Sequence, residues 1–118
     1  MNLHASLARI EGAFAARLRK GITVNGITLR AADADRTAFA QLLTMLSEAE
    51  RLGLLPPKAT IADKSGTAHE LPTAQLRAML VQYGGIYQAI WLQKITLQNA
   101  VKSAPNDQAR AAIHIHFD

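Results

Sequence analysis

The hydrophobic period of this chain changes at Gly21 and changes back after Leu29, and no other feature restricts its fold as much. Before Gly21, Leu3, Leu7, Ile10, Phe14 and Leu18 recur every three or four residues, the spacing of one helical stripe. From Gly21 to Arg30 apolar and polar residues alternate on both sides of Asn25-Gly26. Asn-Gly accepts the positive φ angles of a type I′ turn, so this decapeptide predicts a hairpin with Ile22, Val24, Ile27 and Leu29 on one face. A strand pair placed between helices requires an α+β fold.

The flanking pattern fills in the rest. A helix is expected over residues 2–20, with Arg17, Arg19 and Lys20 opposing the negative end of its dipole and Gly21 as the residue that stops it. Asp33 or Asp35 can cap a second helix, whose core stripe is Phe39, Leu42, Leu43, Leu46 and Ala49. Gly53 ends it, and Pro56-Pro57 denies both helix and central strand. Ala59–Asp63 and Thr67–Leu71 read as a second hairpin around Lys64-Ser65-Gly66, with one wet face. Thr73 is the expected cap of a long last helix, which carries Leu76, Met79, Leu80, Tyr83, Tyr87, Ile90, Trp91, Leu97 and Val101. Gly84-Gly85 predicts a bend in it, and Pro105 bounds it. Ile113–Phe117 alternates like a strand, which would need an edge to pair with. The expected organisation is therefore an amphipathic helix at 1–20, an α+β domain at 21–104 built from two short hairpins packed on two main helices, and a tail at 105–118 with a terminal strand.

Composition then narrows the function classes. Of 118 residues, 49% are apolar and 19% charged, enough for a core and too apolar for a disordered chain. Only 5% are aromatic, so Leu, Ile, Val and Ala must fill that core, and each residue buries little area. Modest stability for a single copy is expected, or further burial through partners. The absence of cysteine excludes disulfides and thiolate chemistry and fits folding in a reducing cytoplasm. No run of about 18 apolar residues predicts a membrane span, and the N-terminus lacks the pattern of a secretory signal. The net charge is +4, and its excess sits in residues 1–20, where Arg9, Arg17, Arg19 and Lys20 face only Glu11.

Candidate chemistry is sparse. His114 and His116 share a face if their segment is a strand, and two imidazoles could chelate a zinc-class ion, but no third ligand is local. The favoured reading is a polar face on a terminal strand, with Ile113, Ile115 and Phe117 packing behind it. Asp33/Asp35 and Glu48/Glu50 are the close acidic pairs, and their positions at helix ends fit capping and solvation. No P-loop, dinucleotide fingerprint, zincin motif or nucleophile elbow occurs. The expectation is a non-enzyme with no catalytic residues, no cofactor and no small-molecule substrate. The basic first helix could meet phosphates, yet it lacks aromatic interleaving and a recognition-helix pattern, so nucleic acid is disfavoured. Its apolar side, mostly Ala and Leu without Trp, suits a partner helix better than a membrane. Tyr83, Tyr87 and Trp91 form an aromatic series that is core if covered and an interface anchor if exposed. The interface candidates are Leu3, Leu7, Ile10, Phe14, Leu18, Tyr83, Tyr87, Trp91, Ile113, Ile115 and Phe117.

The stretch from Gly21 to about Ala104 resembles an uncharacterised domain of bacteriophage tail, tail-fibre and neighbouring virion proteins. The features that carry the resemblance are Gly21-Ile-Thr-Val-Asn-Gly-Ile-Thr-Leu, a helix with Arg36 and Leu42-Leu43, Ala59–Asp63 with Gly66, and Leu71-Pro72-Thr73 opening a helix through Tyr83 and Tyr87. The resemblance implies a structural or assembly protein of a phage particle, made in the host bacterial cytoplasm and located in the virion. It implies contacts with copies of itself or with other virion proteins, and no catalytic residues. A small phage-encoded regulatory or anti-host protein that binds a host protein is the alternative, and a basic nucleic-acid-binding accessory protein is a further one.

Overall fold

The computed structural model describes residues 1–118. The fold is α+β: four helices and two antiparallel two-stranded sheets. In chain order these are α1 (Leu3–Arg19), β1 (Ile22–Val24), β2 (Ile27–Leu29), α2 (Asp33–Arg51), β3 (Lys58–Ala62), β4 (Ala68–Pro72), α3 (Thr73–Ser103) and α4 (Asp107–Ala111). The chain forms two compact units: residues 19–87, and residues 1–18 together with 88–118. α3 contributes to both, so the unit boundaries differ from those expected at residues 20 and 104. The reason is local: the first helix and the tail share their core with the second half of α3.

In the 19–87 unit the Asn-Gly turn forms as the alternation predicts. Asn25 has φ +52° and Gly26 φ +78°. Ile22 pairs with Leu29 and Val24 with Ile27, while Thr23 and Thr28 on the wet face join their hydroxyls at 2.7 Å. Gly21 is needed for a second reason besides its φ of +81°: a Cβ there would lie 2.6 Å from the Leu29 carbonyl oxygen. The second hairpin turns Ala59, Ile61, His69 and Leu71 inward and Lys58, Thr60 and Glu70 outward. The Lys64 N–H donates to the Thr28 carbonyl at 2.7 Å and ties the two hairpins together.

Two expected caps take other roles. Ala32 stands at the start of α2, and the Asp35 carboxylate reaches back to its N–H at 3.2 Å, so the acid works from the third helical position. Thr73 turns its hydroxyl away from the helix and donates to the Pro56 carbonyl at 2.8 Å, while its N–H donates to Pro57 at 3.2 Å. The rigid Pro-Pro turn is thereby fastened to the head of α3. The core of this unit is Ile22, Val24, Leu29, Leu46, Ile61, Leu76, Met79, Leu80 and Tyr83. Tyr83 donates its hydroxyl to the Arg30 carbonyl at 2.6 Å and meets Phe39 edge to face at 5.0 Å. Burial pushes the Tyr83 pKa up to about 12, so the donor stays protonated.

The other unit buries Ser6, Ile10, Ile90, Val101 and Phe117. Here the expected terminal strand is absent: residues 114–118 form no strand, and both sheets stop at two strands. Side chains fix the tail instead. Phe117 packs on Phe14 at 5.8 Å between ring centres, Gln93 exchanges two hydrogen bonds with Asp118, and Arg17 donates to the Asp118 carbonyl. The short helix α4 is a further departure from the expected tail. Asn106 caps it by accepting from the Ala109 N–H at 2.8 Å, and Arg110 returns to the Val101 carbonyl at 3.1 Å, satisfying a free acceptor at the end of α3.

Two substitutions test these assignments by urea denaturation. Gly21→Ala forces a left-handed residue onto a backbone oxygen and is expected to cost about 2–4 kcal/mol. Ser6 is fully covered and its hydroxyl has no partner. Ser6→Ala removes that stranded group and is expected to stabilise by about 1 kcal/mol.

Candidate protein-interaction surface

Several residues expected to face partners serve the chain's own core. Ile10, Tyr83 and Phe117 are buried, and Leu3, Leu7, Phe14, Leu18, Tyr87, Ile113 and Ile115 are half-buried. This burial has a physical cause: an aromatic-poor chain needs the stripe of α1 and the alternating tail to close its second core. Phe14 is also covered by Lys94, whose ammonium lies 4.5 Å from the ring centre and 3.0 Å from Glu11. Of the expected contact residues, only Trp91 is exposed, at 37%.

Exposed apolar side chains lie elsewhere: Val81, Trp91 and Leu92 on α3, and Met1, Met45, Leu52 and Leu54 outside it. Every exposed position of α3 from Ala74 to Asn99 is uncharged. In the 19–87 unit these include Ala78, Val81, Gly84 and Gly85; in the other unit they include Ala89, Trp91, Leu92 and Thr96. Val81 is 60% and Leu92 50% exposed. Solvated surfaces carry roughly 25–35% charged residues, and the helix has no acid at all. Its two cations in that stretch, Arg77 and Lys94, are half-buried and paired with Glu50 and Glu11. A Cβ at Gly84 or Gly85 would meet nothing within 4 Å, so neither glycine allows a close approach inside the chain. Adjacent glycines weaken a helix by about 1 kcal/mol each relative to alanine, and nothing within the chain recovers that cost. Depletion of charge combined with exposed Trp, Leu and Val is the composition of an interface centre. The sequence contains this signal as a 31-residue helix without an acid, but burial is needed to say which positions face water.

Each acidic side chain is paired with a basic one. Asp33 pairs with Arg36, whose guanidinium also covers the Tyr87 ring at 4.1 Å. Glu48 pairs with Arg51, Glu50 with Arg77, and Asp35 with Arg30 at 3.5 Å. His114 and His116 stack with ring centres 5.7 Å apart, and His116 lies 3.3 Å from Asp118. No group of three His, Cys, Asp or Glu side chains is placed to hold a metal ion. No helix is long and apolar enough to cross a membrane.

The densest polar cluster surrounds Asp63, beside a cavity of about 460 Å³ whose lining includes Arg30, Asp35, Lys64 and Ser65. One Asp63 oxygen accepts from the Ser65 N–H at 2.9 Å, the Ser65 hydroxyl at 2.7 Å and the Thr67 N–H at 3.0 Å. The other meets His69 Nε2 at 2.8 Å. The Ser65 hydroxyl is held by the carboxylate rather than by the imidazole. The sequence pattern marks the turn but not this hub, because His69 approaches only through the strand register.

The His69 contact, together with the Ser65 hydroxyl, holds the Asp63 carboxyl well below the usual carboxylate range. A lowered folded pKa stabilises the protein above the unfolded value near pH 4, and that contribution fades as pH falls below it. Asp63→Asn is therefore expected to lower the urea midpoint at pH 7, with the gap to wild type narrowing on acidification below about pH 4. A gap independent of pH would assign the loss to turn geometry alone. No family model, curated protein or solved structure matches the chain.

Proposed function

We propose that this chain is a structural or assembly component of a bacteriophage virion or tail, working through protein–protein contacts. The observation that carries the contact reading is the uncharged exposed side of α3, with Val81, Leu92 and Trp91 open to water and two glycines that no residue of the chain approaches. Met45, Leu52 and Leu54 add exposed apolar surface after and along α2. A protein that remains alone in water gains nothing from such surface, whereas a component of a particle covers it on assembly. The phage assignment rests on the resemblance carried by the Gly21–Leu29 hairpin, the Arg36 helix and the Leu71-Pro72-Thr73 junction.

Mass spectrometry of purified particles of the encoding phage tests the proposal. The chain is expected in them at a fixed ratio to the other virion proteins, and the isolated protein is expected to associate in light scattering. Absence from particles, together with a strictly monomeric species that binds no purified virion part, contradicts it.

A further inference from the structure

The turn between β1 and β2 holds a carboxamide and a backbone nitrogen next to each other with nothing to restrain either. Asn25 and Gly26 are both exposed, and both have positive φ, +52° and +78°. No hydrogen bond engages the Asn25 carboxamide or the Gly26 N–H. A Cβ at Gly26 would meet nothing within 4 Å, so the space beside this peptide group is open. Asparagine is chemically labile, most of all before glycine, where no side chain crowds the next nitrogen.

The other asparagines are restrained. Asn2 accepts from the Ala5 N–H at 2.8 Å, and Asn106 accepts from the Ala109 N–H at 2.8 Å. Asn99 lies inside α3, where the following N–H belongs to the helical ladder. Each of the three precedes a residue with a side chain, Leu3, Asp107 and Ala100 respectively. At position 25 alone does a free carboxamide stand before a glycine. Reaction there requires the Asn25–Gly26 peptide plane to rotate out of its turn setting. Strands of only three residues on either side supply few ladder bonds to oppose that local opening.

We infer that Asn25 is a site of spontaneous deamidation, converting to isoaspartate and aspartate as the protein ages. The Gly26 nitrogen loses its proton to base and attacks Asn25 Cγ. The N–Cγ bond forms and the Cγ–Nδ2 bond breaks. Ammonia leaves after taking a proton from water, and a cyclic imide remains. Water then opens the ring at either carbonyl. One product is aspartate, and Asp-Gly still suits a type I′ turn. The other is isoaspartate, whose main chain runs through Cβ and Cγ. That extra main-chain carbon falls between Val24 and Ile27, the last pair of a ladder that buries Ile22, Val24 and Leu29. The modification therefore acts on the hairpin through its backbone, and it adds a negative charge at the tip in either product.

Peptide mapping by mass spectrometry of the full folded chain, aged at a series of pH values, tests it. The mass gain of an NH2-to-OH exchange is expected at Asn25, rising in rate with hydroxide, while Asn2, Asn99 and Asn106 stay unchanged. A separate peptide of residues 21–30 gives the unrestrained rate. Asn25→Gly leaves a Gly-Gly pair that keeps the turn and is expected to abolish the gain at this position. The isoaspartate fraction, separated by chromatography, is expected to unfold at lower urea than fresh protein. The aspartate fraction and Asn25→Asp are expected to match fresh protein. No gain at Asn25 in the folded chain while the peptide converts to completion overturns the inference, and so does an equal gain at Asn2, Asn99 or Asn106. An isoaspartate fraction with the urea midpoint of fresh protein overturns the effect on the hairpin.

Discussion

One helix supplies both cores. α3 presents Leu76, Met79, Leu80 and Tyr83 to the 19–87 unit and Ile90 and Val101 to the other. A chain with so few aromatic residues buries little area per side chain, and its strands have only three to five residues. At 31 residues α3 is about 46 Å long. Using that length for two cores leaves a further set of positions on the same helix facing water. In an ordinary monomer these positions carry Lys and Glu, often paired along the helix. Here they carry Ala, Gln, Gly, Val, Leu, Trp, Thr and Asn and no charge between Ala74 and Asn99.

The polar contacts act mainly as geometric ties. The Tyr83 hydroxyl on the Arg30 carbonyl joins α3 to the end of β2, the Lys64 N–H on Thr28 joins the hairpins, and Thr73 joins the head of α3 to the proline turn. Each satisfies a backbone acceptor that would otherwise lack a partner. Together they fix the positions of the apolar residues around them. Tyr83 illustrates the coupling: its hydroxyl is anchored on Arg30 while its ring lines a cavity between α2 and α3. In the other unit the tail is held by Arg17 and Gln93 on Asp118 and by the Phe14–Phe117 contact, so no ladder is needed there.

How much can be read from the residues alone depends on how local each signal is. Asn25-Gly26 specifies its own turn, and the stripes of α1 and α2 specify their helices, because all the relevant atoms lie within a few positions. Alternation at Ile113–Phe117 misleads for the same reason: a period of two describes which side chains share a face, while a strand also needs a pairing partner, which these residues do not have. Asn106 is a readable cap that the preceding proline obscures. Thr73 and Asp35 are recognisable as helix-start residues, but which group each one bonds depends on Pro56 and Ala32. The contact surface is least legible. An apolar stripe looks the same in sequence whether it closes a core or awaits a partner, so Ile10 and Phe117, expected at an interface, lie inside, while the glycines of α3, expected to bend the helix, stand open.

Trp91 offers the most direct measurement, since it is the single tryptophan of the chain and stands exposed on α3. Acrylamide quenching of its fluorescence reports whether the uncharged side of that helix meets water. The account predicts quenching in dilute protein that falls, with a blue shift in emission, once the protein is assembled with its partners. Quenching that stays the same in the assembled state would contradict the claim that α3 is a contact surface.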